Sequence, residues 1–200
     1  MELLLHTCCG PCATYSTEFL QEQGYVPTMY YYNPNIHPYK EWQRRKESLE
    51  KLAVLKKLPL VLEEAYELSA FLQRTVPYEN ERCGICYRMR LEQTARQAQA
   101  MGIPAFGTTL LISPYQNRDL ICQIGNELAA VYNLSFCDLD LRPGFRRSQQ
   151  LARDYELYRQ GYCGCIFSER DRYYKPKGSR TIKANDYVKS PWKEGGRSDD

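Results

Sequence analysis

The stretch ELLLHTCCGPCATYSTEFLQEQG, residues 2–24, decides how the rest of the chain is read. ELLLH at 2–6 is a short apolar run that ends at a cysteine loop, and Ala13 to Gln23 then reads as a helix stopped by Gly24. A second strand over Val26–Tyr32 follows at once, rich in aromatic and β-branched residues. Strand, helix and strand in such quick succession predict parallel strands, because a crossover helix returns the chain to the same edge.

The alternation continues downstream. NPNIHP breaks the second strand, and a charged helix follows over Tyr39–Lys57 with Trp42, Leu49, Leu52 and Ala53 as its apolar stripe. Leu60–Leu62 reads as a third strand with a helix over 66–74 after it. A further helix over 84–101 closes at Gly102, and Pro104–Thr109 reads as a fourth strand. Ile121, Ile124, Leu128 and Val131 mark the buried side of the next helix. SFCDLDL at 135–141 alternates, with Cys137, Leu139 and Leu141 on one face, and a last helix covers Arg146–Tyr158. The pattern predicts the α/β class, with a mostly parallel sheet and helices on both faces. Ligands of such sheets sit beyond the carboxyl ends of the strands, which is where HTCCGPC falls. Neither a G-x-G-x-x-G nor a Walker-type phosphate loop occurs, so this loop presents thiols where others cradle phosphate.

Two hundred residues, 43% hydrophobic and 26% charged, suit one globular domain and exclude wholesale disorder. No apolar run approaches the roughly 18–20 residues of a membrane span. MELLLHTCCG lacks the basic start and long apolar stretch of a signal peptide, so a cytoplasmic chain with no membrane partner is expected. The net charge of +3 is uneven: residues 170–200 hold nine Lys and Arg against five acids. A domain over 1–169 with a basic, partly flexible extension over 170–200 is therefore expected. Such a segment suits a polyanion such as nucleic acid, or serves as a solvated tail.

Nine cysteines are an odd number, and a reducing compartment argues against a disulfide framework. Seven fall into three clusters: Cys8, Cys9 and Cys12; Cys83 and Cys86; Cys163 and Cys165. Cys83-Gly-Ile-Cys86 lets two thiolates point at one centre with a helix N-terminus beneath them. Two pairs from separate loops supply four thiolates, enough for tetrahedral zinc or a 4Fe–4S cluster, and the count leaves that choice open. Cys163-Gly-Cys165 can form a small, strained disulfide of the labile kind, or supply two more metal ligands. Cys122 and Cys137 stand alone and read as small buried hydrophobes. His6 adjoins the cysteine loop, within reach of a sulfur or a proton relay, while His37 reads as a surface residue of a proline-rich turn. Arg142, Arg146 and Arg147 around Phe145 offer phosphate contacts with an aromatic for stacking, or a solvated helix start.

Six segments together resemble the cobalamin-independent epoxyqueuosine reductases of the QueH type. They are HTCCGPC, YNPNIHP at 32–38, RCGICYRMRL at 82–91, TTLLISPYQN at 108–117, LRPGFRRSQQLA at 141–152 and LYRQGYCGCIFS at 157–168. The resemblance implies a compact Rossmann-like (HUP-like) domain and the last step of queuosine synthesis, a two-electron deoxygenation of epoxyqueuosine in tRNA. It implies that Cys8, Cys9, Cys83 and Cys86 hold a 4Fe–4S cluster and that Cys163 and Cys165 form a redox-active pair. An additional iron is left open. The partners implied are tRNA carrying epoxyqueuosine and an electron donor protein or reductant. Two other readings remain at this stage: a zinc-stapled RNA-binding module without catalysis, and a Rossmann-like tRNA thiolation enzyme.

Overall fold

The structure is a computed structural model and describes residues 1–176 and Gly178. Five strands form one sheet in which every neighbouring pair is parallel, in the order β3-β2-β1-β4-β5. They are β1 (Glu2–His6), β2 (Val26–Tyr31), β3 (Leu60–Leu62), β4 (Ala105–Thr108) and β5 (Ser135–Cys137). The helices are α1 (Gly10–Glu22), α2 (Tyr39–Lys56), α3 (Leu68–Thr75), α4 (Arg82–Ala100), α5 (Arg118–Tyr132), α6 (Phe145–Asp154) and α7 (Ile166–Tyr173). This is the α/β architecture that the alternation predicts.

Residue alternation along the strands explains the two layers of helices. Leu4, Tyr30 and Phe106 point to one face and meet Leu91, Ala95, Ile121 and Leu128 of α4 and α5. Met29 and Tyr31 point to the other face and meet Trp42, Leu49 and Leu52 of α2, while Leu3 and Leu5 pack with Leu20 of α1. Leu3, Leu4 and Leu5 are all buried, so β1 reads as an unbroken apolar run because both its faces are covered. Gly24 and Gly102 have φ of 84° and 69°, which is why α1 and α4 stop where the glycines stand.

Several boundaries differ from the sequence reading. The strand expected over 135–141 ends at Cys137, because it pairs with β4 alone and β4 turns away after Thr108. Leu141 is nonetheless buried. Val131 is 73% exposed, since the last turn of α5 overhangs the packed face. The final predicted helix stops at Asp154 rather than Tyr158, and the backbone at Glu156 is left-handed. Helix α7 was not foreseen, and the expected boundary at 169/170 falls inside it. Most of the expected extension, residues 177 and 179–200, lies outside the described residues. Among the described residues, no helix is long and apolar enough to cross a membrane.

The start of α1 is pressed against α2. A Cβ on Gly10 would sit 2.6 Å from Ser48 Oγ and 2.7 Å from Ser48 O, and the second of these atoms is backbone. Gly10→Ala is expected to cost about 1–3 kcal/mol, the range for overpacking a close contact. Urea unfolding measures it; a loss under about 0.5 kcal/mol would mean that the two helices yield.

Candidate metal and redox centre

Three helix N-termini carry the thiols. Cys9 is the extended N-cap residue of α1 and Cys12 lies in its first turn. Cys83 and Cys86 lie one turn apart at the start of α4, and Cys165 is the N-cap residue of α7 with Cys163 just before it. Free N–H groups and the positive dipole end at such termini favour thiolates.

The Sγ atoms of Cys8, Cys9 and Cys12 lie within 4.8 Å of one another, a donor set that can hold a metal ion. Metal–sulfur bonds of about 2.3 Å around a tetrahedral ion place sulfurs roughly 3.8 Å apart, and Cys8 and Cys9 sulfurs are 3.6 Å apart. Thr109 Oγ1 donates to Cys8 Sγ at 3.7 Å, and Gln160 Nε2 donates to Cys9 Sγ at 2.9 Å. Thiol donation from Cys12 and Cys9, helped by the charge of Arg90, holds Cys8 well below the usual thiol range. Burial pushes Cys9 up to about 12, and the bond to Cys8 keeps Cys12 protonated too. Metal binding would displace the protons these thiols share.

The second group is Cys83, Cys86, Cys163 and Cys165. Cys86 and Cys165 are buried with Phe71, Met89 and Phe167, while Cys83 and Cys163 are exposed. Cys83 lines a cleft of about 680 Å³ together with Arg88, Asn117, Leu120 and Gln123. Burial raises Cys86 to about 11, and raises Cys83 as well. The Cys165 thiol beside Cys163 lowers that group to about 5 while Cys165 itself is driven up. Both are free thiols here.

The Cys163–Cys165 loop is clamped from α2. Arg45 Nη1 and Nη2 donate to the carbonyls of Cys163 and Tyr162 at 2.9 and 3.0 Å, and Glu41 neutralises Arg45 at 2.7 Å. Gly164 has φ of 117°, and a Cβ there would sit 3.0 Å from Arg45 Nη1, so the middle residue of this cysteine pair must be glycine.

Arg90 links the two groups. It is 2% exposed, and its Nη1 lies 3.8 Å from Cys86 Sγ. Its Nε donates to His6 Nε2 at 3.2 Å and its Nη2 to Asn33 Oδ1 at 3.0 Å. Its charge acts on Cys86, Cys8 and Cys163, one member from each sequence cluster.

His6 makes no hydrogen bond to a sulfur among the described residues. Its Nδ1 lies 2.9 Å from Thr108 Oγ1, and its Nε2 lies 3.2 Å from both the Arg90 Nε donor and the Tyr32 carbonyl. Burial and then Arg90 lower its pKa to about 3, so it stays neutral at physiological pH. His37 is buried rather than on the surface, packed against Phe71 and Tyr66. Cys137 is buried as expected, whereas Cys122 is only half-buried. Among the arginines expected on phosphate, Arg142 is held by Asp140 at 2.7 and 2.8 Å, while Arg146 and Arg147 are exposed with no ion pair among the described residues. Phe145 meets Tyr115 edge-on, and Tyr115 is 83% exposed.

The sequence groups Cys12 with Cys8 and Cys9, but its reading left Cys12 out of the ligand set and overlooked Arg90 and Arg45. Helical spacing carried a signal for both arginines. Arg90 follows Cys86 by four residues, and Arg45 falls within the apolar stripe of Trp42, Leu49 and Leu52.

Comparison with known proteins adds the lineage. A family model described as epoxyqueuosine reductase QueH matches residues 3–171. The epoxyqueuosine reductase QueH of Dehalococcoides mccartyi is 40% identical over 176 residues, covering 88% of this chain and 96% of that protein. That of Staphylococcus epidermidis is 34% identical over 185 residues, covering 84% and 76%. A predicted subunit of a tRNA methyltransferase from Methanocaldococcus jannaschii superposes with a TM-score of 0.52 at 14% identity over 76% of each chain, a likeness of fold alone.

Cys163 should be the thiol that alkylates first in the metal-free protein. Its reactive thiolate is populated above a pKa of about 5, and protonation below that value removes it. Iodoacetamide labelling followed by mass spectrometry is expected to show Cys163 near its plateau rate at pH 7, with Cys86 still unmodified. Equal rates at both positions would refute the assignment.

Proposed function

The chain belongs to the epoxyqueuosine reductase QueH family, and from that membership we propose how it reduces epoxyqueuosine to queuosine in tRNA, the final step of queuosine biosynthesis. The observation that carries the reading is a set of three thiol groups, each at a helix N-terminus, whose Cys86 lies 3.8 Å from a buried guanidinium that has no carboxylate partner among the described residues. Membership sets aside the zinc-stapled module and the thiolation enzyme as its activity.

Cys8, Cys9, Cys83 and Cys86 are assigned as ligands of a 4Fe–4S cluster. The donor chemistry fits: thiolates are what such clusters bind, and the positive surroundings suit an anionic group. When bound, the cluster supplies low-potential electrons one at a time. Cys12, whose sulfur lies within 4.8 Å of those of Cys8 and Cys9, is a third donor at that loop. Cys163 and Cys165 are assigned as the redox pair. Closing their disulfide releases two electrons and two protons, which is what the epoxide consumes as its C–O bonds break, water leaves and an alkene remains. An electron donor protein or reductant then reopens the disulfide. His6 stays neutral and keeps Arg90 oriented, so the charge facing the thiols is fixed before substrate arrives.

The tRNA is assigned to the face carrying Tyr115, Phe145, Arg146 and Arg147. The loop bearing Tyr115 is tied at both ends to the thiol region. It follows Thr109, which bonds Cys8, and its Gln116 accepts from the hydroxyl of Tyr87, the neighbour of Cys86. Asn117 at its end lines the cleft that exposes Cys83, and about 680 Å³ is within the usual range for a small-molecule site. Tyr115 and Phe145 offer stacking surface for a splayed base, and the two arginines offer phosphate contacts.

The chemistry is tested by nucleoside analysis and iron content together. A strain lacking this gene and any second reductase should accumulate epoxyqueuosine, and the native gene should restore queuosine. Protein purified without oxygen should be brown, absorbing near about 400 nm. Cys83→Ala or Cys86→Ala should lose its iron. The Cys163→Ser, Cys165→Ser double variant should stay brown but fail in multiple turnover. A colourless double variant would make these two cysteines ligands instead.

For the RNA face, Arg146→Gln with Arg147→Gln should weaken tRNA binding and reduce the slope of log affinity against log salt by roughly 1.4–1.8, two phosphates' worth. Tyr115→Ala should weaken binding without altering the slope. Unchanged affinity in both variants would remove this face from the interface.

A further inference from the structure

We propose that Arg90 is the fixed counter-charge of the metal centre, a positioning residue whose single positive charge raises the reduction potential of the group held there. This rests on the iron–sulfur reading above.

Two arginines among the described residues are almost fully buried, and they are provided for differently. Arg45, 1% exposed, has Glu41 Oε1 at 2.7 Å, and the pair is neutral. Arg90, 2% exposed, has no carboxylate partner among the described residues. Its three hydrogen bonds go to an imidazole nitrogen, a thiol sulfur and an amide oxygen. An unpaired charge away from water is strongly unfavourable, so a buried cation of this kind requires an anion. The Cys86 thiol, 3.8 Å from Nη1, is the group in contact able to become one.

The partners also fix where the charge points. Asn33 is itself buried and held by donating Nδ2 to the Thr7 carbonyl at 2.9 Å, one residue before Cys8. Thr108 braces His6 from the far side. The guanidinium is thereby locked between β1, the 33–37 segment and α4 without its charge being neutralised. Adding an electron makes a thiolate-bound cluster more negative, and a neighbouring cation stabilises the reduced form more than the oxidised one. Removing that cation must lower the potential.

The test is a redox titration of the anaerobically reconstituted protein, followed by electron paramagnetic resonance, on the native chain and three variants. Arg90→Lys keeps the charge. Arg90→Met removes it at similar length. Asn33→Asp keeps Arg90 in place but sets a carboxylate against Nη2. Arg90→Lys should lie within about threefold of the native reduction equilibrium. Arg90→Met and Asn33→Asp should each be reduced about tenfold less readily, a downward shift of about 59 mV for a one-electron couple. A folded Arg90→Met that takes up no iron, beside an Arg90→Lys that loads fully, also supports the proposal, because charge then governs assembly. Loaded Arg90→Met or Asn33→Asp protein that titrates like the native chain overturns it. If Arg90→Met does not fold, Asn33→Asp decides. A native protein that binds no iron overturns the iron–sulfur reading and this role with it, whereas unchanged potentials in loaded variants overturn this role alone.

Discussion

The arrangement of this protein depends on the point where β1 and β4 diverge. They are neighbours in the sheet, yet the chain leaves β1 for a helix on one face and leaves β4 toward the other. Right-handed crossovers allow no other routing for a parallel sheet. The crevice opened at their carboxyl ends receives Cys8 from one strand and Thr108 and Thr109 from the other. Two further segments close over it: the 33–37 turn, through the Asn33 bond to Thr7, and α4, through Arg90.

That crevice is filled by polar and sulfur groups, and its charge is unbalanced. The three helix N-termini and Arg90 are all positive, with no carboxylate in contact with the guanidinium among the described residues. Nearby, Gln160 Oε1 and Asn35 are buried with no hydrogen-bond partner among the described residues. A folded chain does not keep such features for stability, since each opposes folding. They are consistent with a site shaped around an anionic, thiolate-bound group. The contrast with Arg45 sharpens the point, because there the same residue type is paired with Glu41 and spends its donors holding the Cys163–Cys165 loop.

The two thiol groups divide the work by exposure. Cys8, Cys9 and Cys86 are buried, so their chemistry is shielded from bulk reductants. Cys163 and Cys83 reach solvent, where a donor or a substrate can meet them. Arg90 acts electrostatically on members of both groups, which couples them without direct contact. This difference in exposure belongs to a member of the epoxyqueuosine reductase QueH family.

The α/β class, the parallel sheet and the location of the thiol loop were legible in the sequence, because strand and helix periodicity is local and β1 shows its double burial as an unbroken Leu3-Leu4-Leu5 run. The clustering of cysteines pointed to metal and redox chemistry for the same reason: ligands near in sequence stay near in space. Element ends were less legible. Whether residues 138–141 continue a strand depends on the length of β4, about thirty residues away. The roles of Arg45, Arg90 and His37 were decided by tertiary structure alone. Each is defined by partners from distant segments: Arg90 by His6 and Asn33, Arg45 by Tyr162 and Cys163, and His37 by Tyr66 and Phe71. A sequence records which residues are charged or apolar, but the balance of a buried charge is a property of the space around it, and that space exists only once the chain has folded.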